Sequence, residues 1–388
     1  MGLFHSPKVA TAGLAFMYDT GNSKSYVGEP TTNTAGTTNL ATYWNNSGTA
    51  SWVTDDTSVP RLFPDIPVLS MEKLTDGESH IGVGYTSATV STEYTYSVYV
   101  WIPSTNSSSM AGIKPYFRPQ PSNGWIGTLS YNDSTSWETW PRDQWIRISV
   151  TATTPSTNVT YAYISCYLDT AGDKIYFTAP QIETKGHRTP FVNGTRSNTQ
   201  GLVDRTGNKT ITLSNLSYDS NAQMSFDGTD DQFLISDPDV GTSFSIEVII
   251  KVNDYSNGPI FISPNSVGID HFFRVLNNGN VSAKFVEIAD SSADSYTSST
   301  TLNTGEYYHV VISKTPSNGT IYVNGVAEDS HTPTLAAAAW SGDWRIGARW
   351  NTTYHLNGEL PLLRVYNQAL TSTEVTKNFN AIRSRFGL

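Results

Sequence analysis

Short segments of strict two-residue alternation, each closed by Gly, Pro, Asn or Ser, recur along the chain and leave little room for anything but β-structure. Tyr94–Pro103 is the clearest of them. Tyr94, Tyr96, Val98 and Val100 fall on one face, with Thr95, Ser97, Tyr99 and Trp101 on the other. In Gln144–Val150 the residues Ile146, Ile148 and Val150 share a face, and Val159–Leu168 and Lys174–Phe177 repeat the pattern. Further on, Phe244, Ile246, Val248 and Ile250 line one face, opposite Ser243, Ser245, Glu247 and Lys251. Tyr308, Val310 and Ile312 form the next such set. Ile321 and Val323 then lead into Asn324-Gly325, a dipeptide that suits a type I′ hairpin because both central residues need positive φ.

A single helix is signalled, and it lies at the end. Thr371 as N-cap and Glu374 three residues later form a capping box, with Leu370 and Val375 placed for a hydrophobic staple. Val375, Phe379 and Ile382 then share a face at helical spacing, as expected of a short amphipathic tail lying on a sandwich. The sequence therefore predicts an all-β fold of two β-sandwiches with one short C-terminal helix. With 388 residues, two or more domains are expected, and 38% hydrophobic content is enough for sizeable cores.

Charged residues make up only 15% of the chain and Ser, Thr, Asn and Gly dominate the rest, which suits the outward positions of β-sandwiches. A net charge of −10 argues against nucleic acid or an anionic membrane as partner. Cys166 is the one cysteine, so no intramolecular disulfide framework or four-cysteine zinc site is available. It falls in an alternating run and reads as a buried, inert thiol. The opening GLFHSPKV lacks the long apolar core of a signal peptide, and no apolar stretch is long enough to span a bilayer. Synthesis in a cytoplasm and export only as part of something larger are expected.

Several segments carry family resemblances. Ser225–Gln232 (SFDGTDDQ), Gly319–Val326 (GTIYVNGV), Gly358–Leu370 (GELPLLRVYNQAL) and the end NFNAIRSRFGL follow an order that resembles the laminin-G-like, concanavalin A-type lectin sandwich of bacteriophage virion proteins. Gly13–Tyr26 (GLAFMYDTGNSKSY) looks like the opening strand of that sandwich. In the family it is followed closely by a stretch such as DRTGNKTITL, yet here Asp204–Leu213 comes nearly two hundred residues later. The resemblance implies that residues 1–35 and 197–388 make one discontinuous lectin sandwich, with residues 36–196 inserted in the loop after Tyr26. The inserted part is itself similar to a jelly-roll carbohydrate-binding module, through Asn39-Leu40, Trp44, YSVYVWIP, QWIRISVT, IYFTAPQIE and the exit TPFVNGTR.

Candidate site residues are few. Sugars stack on exposed aromatic faces. Trp125, Tyr131, Trp137 and Trp140 lie in Gly-, Ser- and Asn-rich surroundings that read as loops and would suit a platform. Trp350 and Tyr354 could line a second groove near Trp340 and Trp344, of which Trp344 is expected to pack inward; Trp145 opens a strand and is expected in the core. For each loop tryptophan, packing against a sandwich edge or another subunit competes with sugar contact. Asp227, Asp230 and Asp231 are the candidate metal set, and some laminin-G-like domains hold Ca²⁺ through such loop carboxylates. Asp-Gly and Asp-Asp are equally ordinary turn residues. Asp19 and Asn22 form a weaker set of the same kind.

Glycoside hydrolysis needs two carboxyl groups about 5 Å or about 6.5–9.5 Å apart across one cleft. Glu247 stands alone in its strand, Glu306, Glu328 and Glu359 are isolated, and His271, His309, His331 and His355 are scattered without metal spacing. No GxSxG elbow, HExxH helix or P-loop is present. The expectation is a non-enzymatic virion structural protein, a tail fibre, appendage or surface-decoration component. It would assemble with other virion proteins as a homo-oligomer and could attach to a host-surface glycan. A dedicated carbohydrate-binding protein, calcium-dependent or not, is the alternative, and a polysaccharide-degrading enzyme ranks last.

Overall fold

The computed structural model describes residues 9–35, 42–44, 50–74, 78–82, 89–107, 112–119, 126, 128–130, 140–156, 160–168, 170–264, 271–286, 293–333, 340 and 342–388. Among them the regular structure is strand throughout except for one α-helix, Ser372–Phe386. Two compact units are present. The larger comprises Met1–Pro30, Ser197–Asp219 and Gln223–Leu388, and the smaller Thr31–Arg196 with Ser220–Ala222.

The larger unit is a two-layer β-sandwich. One sheet of eight strands runs in the order Ser217–Tyr218, Met224–Asp227, Asn357–Tyr366, Phe244–Asp254, Tyr307–Lys314, Gly319–Val323 and Val326–His331, and Leu14–Asp19 also pairs with Asn357–Tyr366. The other sheet orders seven strands as Ile211–Ser214, Gln232–Ile235, Trp344–Ile346, Ile260–Pro264, Phe272–Val275, Asn280–Val286 and Ala293–Thr301. Alternation decides what fills the space between the sheets. Phe244, Ile246, Val248 and Ile250 from the first join Phe233, Phe261, Phe273 and Trp344 from the second in one buried cluster. Each such side chain contributes roughly 1.5–3 kcal/mol by leaving water. Asn324 and Gly325 have φ of 49° and 80°, the two left-handed residues that a type I′ turn demands.

On its opposite face the eight-stranded sheet carries the helix. Thr371 accepts from the Glu374 amide while Glu374 reaches back to the Thr371 amide, and Gly387 closes the far end at φ 72°. Two apolar patches flank the footprint. Val375 packs with Val311, Tyr322 and Leu370, and Ile382 packs with Ile249 and Leu362.

Between the patches lies a buried polar network that periodicity does not reveal. Glu247 is fully buried and accepts from Arg364 Nη1 at 2.8 Å and His309 Nε2 at 3.0 Å on one oxygen. Its other oxygen accepts from Asn378 Nδ2 at 2.8 Å and the Tyr366 hydroxyl at 3.1 Å. Asn378, from the helix, also accepts from the Ala10 amide at 2.7 Å. A carboxylate in this position is costly unless every lone pair is used, and here all four donors converge on it.

Burial alone would raise the Glu247 carboxyl. The Arg364 charge and the His309 and Tyr366 hydrogen bonds outweigh it and hold the group down to about 2, below the ordinary 4.5. Because the folded value is depressed, the stabilisation is complete above about pH 5 and drains away as pH falls toward 2. The expected result is a melting temperature that drops across this window, measured by circular dichroism, with the drop flattened in Glu247→Gln.

The smaller unit contains a six-stranded and a four-stranded sheet. The six-stranded order is Ala50–Val53, Leu69–Lys73, Lys174–Glu183, Glu93–Trp101, Trp145–Thr153 and Thr128–Ser130. Thr42–Trp44, Glu78–Gly82, Thr160–Tyr167 and Gly112–Pro119 form the four-stranded sheet. Tyr96, Val98, Val100, Ile148, Val150 and Ile182 make its buried core. Thr31–Thr32 pairs antiparallel with Thr195–Arg196, so the first and last strands of this unit are neighbours. Glu183, also buried, accepts from Thr31 Oγ1 at 3.0 Å and from Thr189 Oγ1 at 2.7 Å, and Thr189 Oγ1 in turn accepts from Arg196 Nη2 at 3.3 Å.

Candidate functional site

The loop from Gly347 to Leu356 in the larger unit is pinned at its base and irregular at its tip. Gly347, at φ 90°, donates to the Phe261 carbonyl, and the Leu356 amide returns to Gly347 O at 2.8 Å. A Cβ at Gly347 would run into the Phe226 ring and come within 3.1 Å of the Asp231 carbonyl. The tip is a turn in which Thr352 N donates to Arg349 O and Arg349 N to Thr353 O, both at 2.9 Å. Thr352 and Tyr354 are left-handed, at φ 58° and 56°. For a β-branched and a bulky aromatic residue this is a strained conformation, of the order of 1–3 kcal/mol each, and such strain concentrates at binding surfaces.

What the strain achieves is a display. Tyr354 is 43% exposed and Trp350 half-buried. Arg349 lies against both rings, its guanidinium carbon 6.0 Å from the Trp350 centroid and 5.7 Å from that of Tyr354. Arg349 is the part of this arrangement that sequence reasoning missed. A cation at the start of a turn carries no periodic signal. Trp344 and Trp340 are fully buried, 5.0 Å apart edge to face, and form the floor of the sandwich rather than a groove.

Asp227, Asp230 and Asp231 do come together, with carboxylate oxygens within 4.8 Å of one another. Their oxygens are largely committed to the turn itself. Asp227 Oδ1 accepts from the Thr229 amide at 2.7 Å, and Asp231 Oδ2 from the Asp227 amide at 2.7 Å. Burial raises the Asp231 carboxyl, and the nearby Asp227 charge adds to the rise. A divalent cation wants six to eight oxygens, so backbone carbonyls or water would have to join these three side chains, and the same hydrogen bonds are those of an Asx-capped hairpin. Asp19 is likewise committed, to Arg385 at 2.5 and 2.7 Å and to the Gly21 amide at 3.0 Å.

In the smaller unit Trp125, Tyr131 and Trp137 lie outside the described residues. Trp140 does not serve a platform: it is 3% exposed and belongs to the core cluster with Val98, Val100 and Ile148. Its Thr- and Pro-flanked context reads as a loop, but the ring is part of the buried core. Trp145 is half-buried, edge to face with Trp101 at 5.7 Å, and donates to the Pro60 carbonyl at 2.8 Å.

The histidines and acids sort in the same way. His271 stacks on Trp340 at 5.9 Å and His331 on Tyr296 at 4.1 Å, while His309 serves Glu247. Glu247 and Glu183 are both fully buried and hydrogen-bonded.

Residues 226–376, which include most of the larger sandwich, match a laminin-G family profile described as "Concanavalin A-like lectin/glucanases superfamily". This region has a concanavalin A-like sandwich fold. Among curated proteins none matches the chain in sequence. In solved structures the chain is similar to the botulinum neurotoxin serotype D binding domain, at 15% identity and TM-score 0.39, over 47% of this chain and 50% of that one. It is also similar to domain 4 of the arabinanase AbnA from Geobacillus stearothermophilus in complex with arabinotriose, at 19% identity and TM-score 0.37, over 47% and 92%. A third is the CBM40 of the Ruminococcus gnavus IT-sialidase bound to α2,3-sialyllactose, at 12% identity and TM-score 0.31, over 34% and 80%. The chain spans about half the length of the toxin domains it matches. Among the described residues no helix is long and apolar enough to cross a membrane.

Proposed function

We propose that the protein is a structural component of a bacteriophage virion whose lectin domain binds glycan on a host surface without cleaving it. The observation that carries the binding part is the Arg349-braced pair of Trp350 and Tyr354, held out on a strained turn of a lectin-type sandwich. An exposed Tyr ring beside Trp offers an apolar face for the C–H groups of a sugar, while Arg349 supplies N–H donors at its edge. The virion part is supported by the order of FDGTDDQ, the hairpin and the helix, which resembles phage lectin-type proteins. Assembly there would be with other virion proteins and with copies of itself.

A glycan array probed with the full chain tests the binding reading. Binding to at least one glycan class is expected, and the double variant Trp350→Ala, Tyr354→Ala should lose it by tenfold or more. Because the acidic turn is engaged with its own backbone, EDTA is expected to leave binding unchanged; loss in EDTA would hand the leading role to Asp227, Asp230 and Asp231. Silence across the array, or full binding by the double variant, would overturn the reading. Mass spectrometry of purified particles tests the virion assignment.

A further inference from the structure

A second concavity in the larger unit arises from how its strands are laid end to end. Leu14–Asp19 pairs with residues 362–366 of the Asn357–Tyr366 strand, and Met224–Asp227 pairs with residues 357–358 along the same edge. Between them, residues 359–361 bulge opposite Ile249–Lys251, and Pro361 has no N–H to offer a neighbour. The result is a notch of about 290 Å³, at the lower end of the roughly 300–1,000 Å³ usual for small-molecule sites.

Each wall has a different chemistry. Tyr307 and Phe386, with ring centroids 5.2 Å apart, provide the aromatic side, and the C-terminal helix supplies Phe386. Asp219 and Gln223 also line the notch, in a turn closed by Asp219 N to Gln223 O at 3.0 Å and Gln223 N to Asp219 Oδ1 at 2.9 Å. Glu359 lines the notch as well, hydrogen-bonded by the Tyr307 hydroxyl and paired with Lys251. Arg385 closes one end and is already gripped by both oxygens of Asp19. Gly21 leaves it room, since a Cβ there would collide with the guanidinium.

We propose that this notch binds one neutral sugar ring, a site separate from the Trp350–Tyr354 turn and resting on the glycan-binding reading. Aromatic rings together with planar amide and carboxylate groups are complementary to a pyranose, apolar on its C–H face and hydrogen-bonding at its rim. Charge selects the class. Arg385 is the one cation among the lining residues and is already paired with both oxygens of Asp19, while Glu359 is paired with Lys251, so a sialic or uronic acid carboxylate would find no open cationic partner there. The volume admits one ring rather than a chain.

Ligand-observed saturation-transfer NMR on the full chain tests the assignment, with galactose, glucose, mannose and N-acetylglucosamine as neutral probes. Glucuronic acid and N-acetylneuraminic acid are the anionic probes. At least one neutral sugar is expected to bind with a dissociation constant on the order of 1 mM, as suits a ligand of about a dozen heavy atoms. Phe386→Ala and, with less effect on folding, Gln223→Ala should each weaken it by threefold or more. Trp350→Ala should leave it unchanged. Silence from all neutral sugars, equal or better binding of the acids, or indifference to both notch variants would overturn the proposal. In that event continued array binding that depends on Trp350 would leave the wider glycan reading standing.

Discussion

Glu247→Ala is expected to cost about 3–5 kcal/mol of stability, the range for removing one partner of a buried ion pair. Arg364, His309 and Asn378 all donate to this carboxylate, and the substitution strands their polar groups under the helix. Because Asn378 also holds the Ala10 amide, the loss should reach the N-terminal segment as well as the helix. At about 2–4 °C per kcal/mol for a unit of this size, the melting temperature should fall by roughly 10 °C. Glu247→Gln keeps an acceptor and should cost less. The double change Glu247→Leu, Arg364→Met removes both charges together and is expected to be milder than Glu247→Ala alone, since apolar replacements of a whole buried pair are often neutral. A Glu247→Ala protein that melts within a degree or two of wild type would show that the network does not hold the helix.

Gly358→Ala should be of comparable severity for a different reason. Gly358 has φ 155°, and a Cβ there would collide with the Lys251 carbonyl oxygen and lie 3.0 Å from its carbon and 3.1 Å from Val252 Cα. Backbone cannot swing aside as a side chain can. Strain at such a φ and overpacking each cost about 1–3 kcal/mol, so a total of about 3–5 kcal/mol is expected from chemical denaturation. The damage would be local as well. Gly358 pairs with Phe226 at the edge of the notch, so the Met224–Asp227 strand should lose amide protection from hydrogen exchange first. Uniform protection, or unchanged stability, would contradict this reading of the strand crossing.

The parts of the fold legible in sequence were those that obey a period. Phe244, Ile246, Val248 and Ile250 announce their inward face because nothing interrupts the alternation, and they pack inward. The helix was legible because Thr371 and Glu374 satisfy each other locally, whatever lies elsewhere. Asn324-Gly325 worked for the same reason. Glu247 was not legible in this way. Alternation assigned it to the face opposite the core, but the helix covers that face, and its partners are 62, 117 and 131 residues away.

The site residues divide along the same line. Trp350 and Tyr354 were found from aromatic content in a turn, whereas the brace by Arg349 depends on a left-handed backbone that composition does not encode. Trp140 misled because its neighbours are polar while its ring is not exposed to them. The notch gave no signal, since Thr20, Asp219, Glu359 and Arg385 meet only through strand order.

We propose that the lectin-type sandwich retains carbohydrate and leaves it whole. Affinity electrophoresis of the full chain through gels containing neutral polysaccharides, with reducing ends titrated in the same samples, puts that to the test. Retardation in at least one polysaccharide, with reducing ends constant over time, is the predicted result. Reducing ends that accumulate, or migration unaffected by every polysaccharide tried, would contradict it.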